Sequence, residues 1–352
     1  MKSILLTSTA LVALAGAAAA DGHATPGIGF SGEATLGYND TVEDGFYWDS
    51  SVDVTATAAL DNGIVATATF GLNVVDNDLG EPVSSSDFVL MVEGGGSSLT
   101  FGDTDPVAED RWGGVDGMDA DGFNDQDVHF SDAVGFEAML VGETTVAGIT
   151  AAVSFGVDVD GATIENELDA MQVYVSGGFG SVDFELAYQE EFAGADAVLA
   201  VGASTSLMGA DLGVAYADNG TDSSIGVDVS YPVGPVTVGG YYASNDVGED
   251  NYGVSADYAA GAISASLFGD YDGDADEWDF GVEGSFDAGN GLTVLAGAVD
   301  SGDAYYVAGS LDLGGGATLL VSYADDENNP TNDEIGDPEY MAGSTVEVSF
   351  SF

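Results

Sequence analysis

Carboxylates are the side chains with the clearest chemical potential in this sequence, and nine of them lie between Thr104 and about Ala133. This segment also contains Arg111, the only lysine or arginine in the sequence besides Lys2. Carboxylates confined around a narrow path of water concentrate cations and repel anions. Arg111 has two interpretations: it bridges the segment to a carboxylate elsewhere, or it is an exposed arginine in a weak ion pair. The acidic residues that we predict to act together with Arg111 are Asp105, Glu109, Asp110, Asp116, Asp119 and Asp121.

The overall charge is extreme, because 62 acidic residues give the chain a formal net charge of −60. Such a chain cannot neutralise phosphates, which excludes nucleic acid as a partner. A hydrophobic content of 45%, with 15 tyrosines and 17 phenylalanines, indicates a folded chain and not an acidic disordered one. Two explanations of the acidity remain open. One is a salty habitat, where ions screen the repulsion between carboxylates, and the other is selectivity for cations. The sequence has no cysteine, so it has no thiol or disulfide chemistry.

Alternation of apolar and polar residues recurs along the chain and predicts strands with two different faces. From Ala342 to Phe352, every second residue is small or apolar, and the residues between them are Gly, Thr, Glu and Ser. A run of about ten residues covers ~23 Å of height at ~45° tilt, which matches the apolar band of a membrane barrel. Carboxylates on the polar face must therefore meet water and not lipid. The carboxylates that we predict to line a pore are Asp53, Asp183, Glu185, Asp228, Asp257, Asp279, Glu283 and Glu347.

Tight turns alternate with longer acidic loops throughout the chain. Clusters such as Asp61-Asn62-Gly63 supply the backbone angles that hairpin turns require. Nine tight turns and ten longer loops predict 20 strands. The predicted fold class is all-β: a transmembrane, antiparallel, up-and-down β-barrel in a single domain over residues 21–352. Within it, residues 104–133 form the one long loop, which we predict to be a pore constriction.

The first 20 residues have the features of a secretory signal peptide. Lys2 provides the positive start, Ile4 to Leu14 form the apolar run, and small residues precede the predicted cleavage before Asp21. The apolar run is too short to cross a membrane as a helix of ~20 residues. We therefore expect export and insertion into the bacterial outer membrane.

One further acidic pattern leaves calcium binding open. Asp270, Asp272, Asp274 and Asp276 place carboxylates at every second position, as loops that bind hard cations do. The glycine and glutamate that complete an EF-hand are missing from this run. The alternative function is therefore a secreted, acidic, β-rich surface or adhesin protein that binds calcium. A diffusion channel would require no cofactor.

Catalytic chemistry has little support in the sequence. Its histidines are His23 and His129, and the grouping of His129 with Ser131 and Asp132 is too close in sequence to form a catalytic triad. No G-x-S-x-G nucleophile motif occurs. We do not expect an enzyme.

The chain resembles the Gram-negative general porins, and in particular their alphaproteobacterial branch. The resemblance rests on the early strand 28–38, the run Leu99-Thr-Phe-Gly-Asp103 before the long loop, the strand–turn–strand beginning at Tyr305, and the terminal Phe352. It implies a homotrimer of barrels with about 16 strands each. It also implies a third loop that folds into the pore, where its carboxylates face basic wall residues. This chain departs from that pattern, because it offers no basic residue for the wall.

Together, the residues and the resemblance lead us to expect an outer-membrane porin. It would be a passive, water-filled diffusion channel that favours cations and admits small hydrophilic solutes. Its expected partners are outer-membrane lipid, these solutes, cations, and further copies of the chain in a homotrimer.

Overall fold

The fold is known from a computed structural model, which describes residues 27–42, 45–60, 63–76, 84–123, 138–157, 168–192 and 195–352. The predicted signal peptide, residues 1–20, lies outside the described residues. No helix within the described ranges is long and apolar enough to cross a membrane.

Strands account for nearly all of the regular structure. The first ten are β1 (Gly27–Asn39), β2 (Phe46–Ala59), β3 (Val65–Asp76), β4 (Ser84–Gly94), β5 (Ser97–Gly102), β6 (Ala138–Val146), β7 (Ile149–Val157), β8 (Leu168–Phe179), β9 (Val182–Gln189) and β10 (Val198–Leu207). The second ten are β11 (Ala210–Asp218), β12 (Ser223–Val233), β13 (Val236–Asn245), β14 (Asn251–Ala260), β15 (Ile263–Asp272), β16 (Glu277–Gly289), β17 (Leu292–Val299), β18 (Ala304–Gly314), β19 (Ala317–Asp326) and β20 (Gly343–Ser351). The short helix α1 (Val107–Arg111) follows β5, and a 3₁₀ turn (Asp300–Gly302) follows β17.

Every strand pairs antiparallel with the next one along the chain, and β1 pairs with β20 to close the sheet into a barrel. The closing register runs from Glu33 opposite Ser351 to Asn39 opposite Thr345. The predicted up-and-down barrel and the predicted count of 20 strands are confirmed. The value of about 16 strands that the resemblance implied does not hold for this chain. Because barrel diameter grows with strand number, this ring is wider than the resemblance suggested.

The tight turns have the backbone angles that their sequences predict. In the turn between β16 and β17, Asn290 and Gly291 both have positive φ, at 56° and 81°. Two consecutive positive φ values characterise a type I′ turn, whose twist matches that of the strands it joins. Asn-Gly is the preferred sequence for this turn, so this hairpin is specified locally.

The two faces of each strand differ as the alternation predicts. In β12, Ile225, Val227 and Val229 are 51%, 47% and 44% exposed, whereas the neighbouring Ser224 is 1% exposed. The apolar side chains form the outer face, and the small and polar side chains form the face that other parts of the chain cover. We call the second face the inner face of the barrel.

The assignment of faces predicts opposite effects of one substitution at two nearby positions of β12. Val227→Arg places a charge near the middle of the outer face, and we expect it to lower the free energy of unfolding in lipid vesicles by about 2–4 kcal/mol. Ser230→Arg, on the inner face, is the matched control and should change that energy little. Urea titration in vesicles measures both, and equal losses would contradict the assignment.

Candidate functional site

The described part of the long loop, residues 104–123, lies against the inner face of the barrel. Its helix α1 begins after Pro106, and the first amides of a helix have no partner within the helix. Here the wall supplies the acceptors. The Val107 amide donates to Ser154 Oγ (3.1 Å), and the amides of Ala108 and Glu109 donate to Gln172 Oε1 (2.8 and 3.0 Å). Strands β7 and β8 therefore cap the helix.

A second group of wall side chains holds the loop further along. The Asp119 amide donates to Ser224 Oγ (3.2 Å) and to Asn245 Oδ1 (3.1 Å). The Gly117 carbonyl accepts hydrogen bonds from the side-chain amides of Asn245 (3.1 Å) and Asn251 (2.9 Å). The loop is thus anchored at both ends of its described part, on strands β7–β8 and β12–β14.

Between these anchors the loop packs on small residues of the wall. Val107, Ala108 and Met118 are buried in one apolar cluster with alanines of the inner face. The contacted alanines are Ala152, Ala187, Ala200, Ala215, Ala217 and Ala243. At Gly226 a Cβ atom would lie 2.5 Å from the Val115 Cβ, so only glycine leaves room for the loop. Small inner-face residues on β7 and β9–β13 form a seat of the right depth for the loop.

Sequence reasoning did not identify this seat. Ser154, Gln172, Ser224, Asn245 and Asn251 were ordinary polar positions of an alternating strand. The available signal was their neighbours in the sequence. These uncharged hydrogen-bonding residues lie beside alanine and glycine, on a face that elsewhere carries carboxylates. Uncharged donors and acceptors suit a protein partner, because their desolvation costs far less than that of a carboxylate.

All of the acidic residues that we predicted to act with Arg111 lie in this anchored segment. Asp105, Asp110, Asp116 and Asp119 are exposed, while Glu109 and Asp121 are half-buried. The structure therefore brings them together on one loop that is fixed to the wall. The later acidic positions of the loop and His129 lie outside the described residues, as does His23.

Arg111 is ion-paired on both sides. Its Nη1 lies 2.6 Å from Glu143 Oε2 on β6, and its Nε lies 3.4 Å from Asp110 Oδ2. Of the two interpretations of Arg111, the structure contains the bridge from loop to wall. Glu143 was not among the predicted wall carboxylates. The positive charge of Arg111 is therefore offset by two adjacent carboxylates.

Two loop carboxyl groups hold their protons more tightly than usual. Asp119 is exposed overall, but partial desolvation of its carboxyl group, followed by the charges of Asp274, Asp222 and Asp272, raises its pKa above the ordinary value. Burial also raises the pKa of Asp121, although a hydrogen bond from Trp112 Nε1 (3.1 Å) opposes this shift. Each of these two groups therefore becomes neutral at a higher pH than an ordinary aspartate does.

The predicted wall carboxylates all lie on the inner face, and several are held by tyrosines. A tyrosine hydroxyl is a neutral donor that orients a carboxylate without cancelling its charge. The pairs are Tyr47 with Glu347 (2.7 Å), Tyr174 with Glu185 (3.1 Å) and Tyr306 with Glu283 (2.9 Å). Sequence reasoning did not identify this role of the tyrosines.

Glycines make room for these tyrosines. Tyr47 lies opposite Gly37 on the neighbouring strand, and Tyr306 lies opposite Gly297. A Cβ atom at either glycine would overlap the tyrosine ring. The rings therefore lie flat across the neighbouring strand, which brings their hydroxyls to the carboxylates.

The other predicted wall carboxylates are held differently. Asp257 accepts a hydrogen bond from the Ser266 hydroxyl (2.7 Å), and Asp279 accepts one from Ser301 (3.3 Å). Asp53 lies on β2, where its neighbours across the sheet are Ser31 and Gly71. Asp183 and Asp228 line a cavity of about 1050 Å³ together with Arg111 and Glu185. This cavity lies between the loop and strands β8–β12, and it has the polar lining that hydrated cations favour.

The residues considered for calcium have other roles in the described structure. Asp272 Oδ1 accepts the backbone amides of Asp274 (2.9 Å) and Ala275 (3.0 Å), which shapes the turn between β15 and β16. Asp276 accepts the hydroxyl of Tyr271 (2.7 Å), and Asp270 lies on the wall in β15. Within the described ranges, no group of three or more His, Cys, Asp or Glu side chains is arranged to hold a metal ion. Calcium binding remains an untested prediction.

Removing the acceptor at the start of the loop should loosen it. In Gln172→Leu the amides of Ala108 and Glu109 lose their partner, and a buried unsatisfied amide costs about 1–3 kcal/mol. We expect faster hydrogen exchange at residues 107–110, measured by mass spectrometry in detergent micelles. Ser266→Ala removes an inner-face hydroxyl elsewhere and serves as the control. Unchanged exchange in Gln172→Leu would show that the wall does not hold the loop.

The raised pKa values predict that the loop is held best at acid pH. A carboxyl group whose pKa is raised by folding stabilises the folded loop below its ordinary pKa of about 4. That contribution is lost as the pH rises through the ordinary and then the raised value. Hydrogen exchange at residues 117–121, corrected for the intrinsic effect of pH, should therefore be slower at pH 4 than at pH 7. Asp119→Asn should reduce this difference and Asp287→Asn should not; equal differences in all three proteins would contradict the prediction.

Comparison with known proteins adds a family assignment. Residues 7–332 match the family model of the Gram-negative porins. No curated protein matches the chain. Among solved structures, a fivefold mutant of the porin of Rhodopseudomonas blastica is similar at 15% identity and a TM-score of 0.40, covering 93% of this chain and 100% of that one. A triple mutant of the same porin is similar at 16% identity and a TM-score of 0.38, with the same coverage.

Proposed function

The chain belongs to the Gram-negative porin family and forms a channel through the outer membrane, and from this premise we propose that the channel favours cations. It would pass small hydrophilic solutes by diffusion, without chemical conversion. The loop segment 104–123 would narrow the water path, with its exposed carboxylates facing the permeating ions.

One observation carries this proposal: the only basic side chain available to the wall or the loop is already paired. Lys2 lies in the predicted signal peptide, and Arg111 lies between Glu143 and Asp110. The wall and loop carboxylates therefore far outnumber the positively charged side chains that could neutralise them. In a confined path of water, their summed field attracts cations and excludes anions.

The tyrosine partners support the same proposal. A hydroxyl donor orients a carboxylate and leaves its full charge in place, whereas a lysine or arginine would cancel it. Glu185, Glu283 and Glu347 therefore contribute their full negative charge to the wall. The usual pairing of acidic loop and basic wall is replaced by acidic groups on both sides.

Two finer features of the family are also proposals for this chain. We propose that it assembles as a homotrimer and that it belongs to the alphaproteobacterial branch, both on the resemblance described above. Sedimentation in detergent measures the number of copies, and a monomer at all concentrations would exclude the trimer. We also propose that the protein has no enzymatic activity, because passive diffusion through a channel requires no chemical conversion.

Reversal potentials in a planar bilayer under a KCl gradient test the proposal. We expect single-channel steps whose reversal potential has the sign of cation selectivity. The selectivity should fall as salt rises from 0.1 M to 1 M, because the screening length shrinks from about 10 Å to 3 Å. Added Ca²⁺ should reduce the selectivity if it binds the carboxylates. Anion-selective steps would exclude the electrostatic explanation and leave the channel itself intact.

Neutralising the loop separates its carboxylates from the total charge of the protein. The combined variant Asp110→Asn, Asp116→Asn and Asp119→Asn removes three exposed charges of the loop, and we expect a clear fall in the permeability ratio of K⁺ to Cl⁻. The control is the combined variant Glu93→Gln, Asp287→Asn and Asp312→Asn, since these residues lie near strand ends at tight turns, away from the loop. Equal effects of the two triple variants would show that the loop is not the selective element.

A further inference from the structure

The loop between β19 and β20, residues 327–342, lies against the inner face as the long loop does. Ile335 is 1% exposed, Tyr340 is 4% exposed and Ala342 is 2% exposed. They form an apolar cluster with inner-face residues of the adjoining strands. The contacted side chains include Leu295 on β17, Ala304, Tyr306 and Ala308 on β18, and Leu320 and Ala324 on β19. An acidic external loop is not expected to bury an isoleucine and a tyrosine unless it packs onto the protein.

Polar contacts fix this loop in position. The backbone amide of Asp337 donates to Glu283 Oε1 (2.8 Å), which also accepts the Tyr306 hydroxyl (2.9 Å). The rings of Tyr306 and Tyr340 stack with their centroids 4.7 Å apart. Gly336 has φ +79°, and a Cβ atom there would overlap the Tyr306 ring. These contacts hold residues 336, 337 and 340 of the loop against Tyr306 and Glu283 of the wall.

The loop is also braced within itself. The Asn332 side-chain amide donates to Asp326 Oδ2 (2.9 Å), and the Asn332 carbonyl accepts the Ala342 amide (2.8 Å). Ile335 and Tyr340 exchange backbone hydrogen bonds of 3.1 and 3.0 Å. These bonds hold the loop as a compact unit, which differs from the behaviour expected of an open acidic loop.

The two anchored loops occupy different sectors of the ring. The first is held by strands β6–β14 and the second by strands β16–β19. A barrel of 20 strands encloses a wider space than one of about 16, so one loop fills less of it. A second anchored loop narrows the space from another side.

We propose that residues 327–342 form a second constriction element, which limits the channel together with residues 104–123. This inference rests on the proposed function and extends it, because the second loop also presents carboxylates to the water path. Its exposed acidic residues are Glu327, Asp333, Glu334, Asp337 and Glu339. Ions passing between the loops meet negative charge from both sides.

Thiol labelling in a conducting channel tests this proposal, because the sequence contains no cysteine. Asp333→Cys and Glu339→Cys each place a single thiol on an exposed position of the second loop. A bulky, positively charged methanethiosulfonate reagent added to a single channel should cause a stepwise loss of conductance and a fall in cation selectivity. The control is Met208→Cys, which is 93% exposed in the turn between β10 and β11 and should label without a change in conductance.

Detachment of the loop gives the complementary measurement. Ile335→Asp puts a charge into the apolar cluster, and we expect larger or fluctuating conductance steps from a barrel that still shows heat-modifiable migration on gels. Conductance that is unchanged both by labelling at Asp333→Cys and Glu339→Cys and by Ile335→Asp would overturn the second constriction. Absence of conductance, or anion selectivity, in the unmodified protein would count against the proposed function instead. Failure of the second constriction and failure of the proposed function therefore give different results.

Discussion

The pairing of β1 with β20 is the contact on which the rest of the structure depends. In a bilayer every backbone amide and carbonyl needs a partner within the protein, and an open sheet would leave two unpaired edges in lipid. The closing register from Glu33–Ser351 to Asn39–Thr345 removes both edges. Closure also divides the side chains into an outer set that meets lipid and an inner set that meets water or other protein. The position of every wall carboxylate follows from that division.

Closure with 20 strands encloses a wide space, and a narrow channel requires part of that space to be filled. The chain fills part of it with its own loops, using small residues where a loop must approach and mostly uncharged polar residues where its amides need acceptors. At Gly226 the seat is so close that a methyl group would overlap Val115. Most of the wall carboxylates remain in water, whereas Glu283 also binds the Asp337 amide of the second loop and Glu143 pairs with Arg111 of the first. The inner face is therefore divided between a surface that binds loops and a surface that faces ions.

The sequence was sufficient to predict the barrel, because its signals are local. Strand number follows from the turn chemistry of pairs such as Asn290-Gly291 and from the alternation of short and long connections. The face of each side chain follows from the period-two alternation within a strand. Neither signal depends on distant residues. Mid-strand acidic residues such as Asp228 were placed on the inner face by the same argument, and the structure puts them there.

The anchoring of the loops was not predictable in this way. The acceptor of the Ala108 amide is Gln172, 64 residues away, and that of Asp119 is Asn245, 126 residues away. The partner of Arg111 is Glu143, whose strand reads like any other. Such contacts depend on how far each strand is staggered around the ring, and period-two alternation contains no information about stagger. The burial of Ile335 was missed for the same reason, because its partners lie on three different strands.

The tyrosine–carboxylate pairs of the inner wall have a consequence for how the wall responds to its surroundings. An ion pair between solvated side chains weakens as ionic strength rises, because mobile ions screen both partners. A hydrogen bond from a neutral phenol depends on contact geometry, and screening affects it far less. Tyr47, Tyr174 and Tyr306 therefore keep their carboxylates in the same orientation in dilute medium and in brine. The geometry of this wall therefore does not depend on the salt concentration, whereas the range of its electric field does.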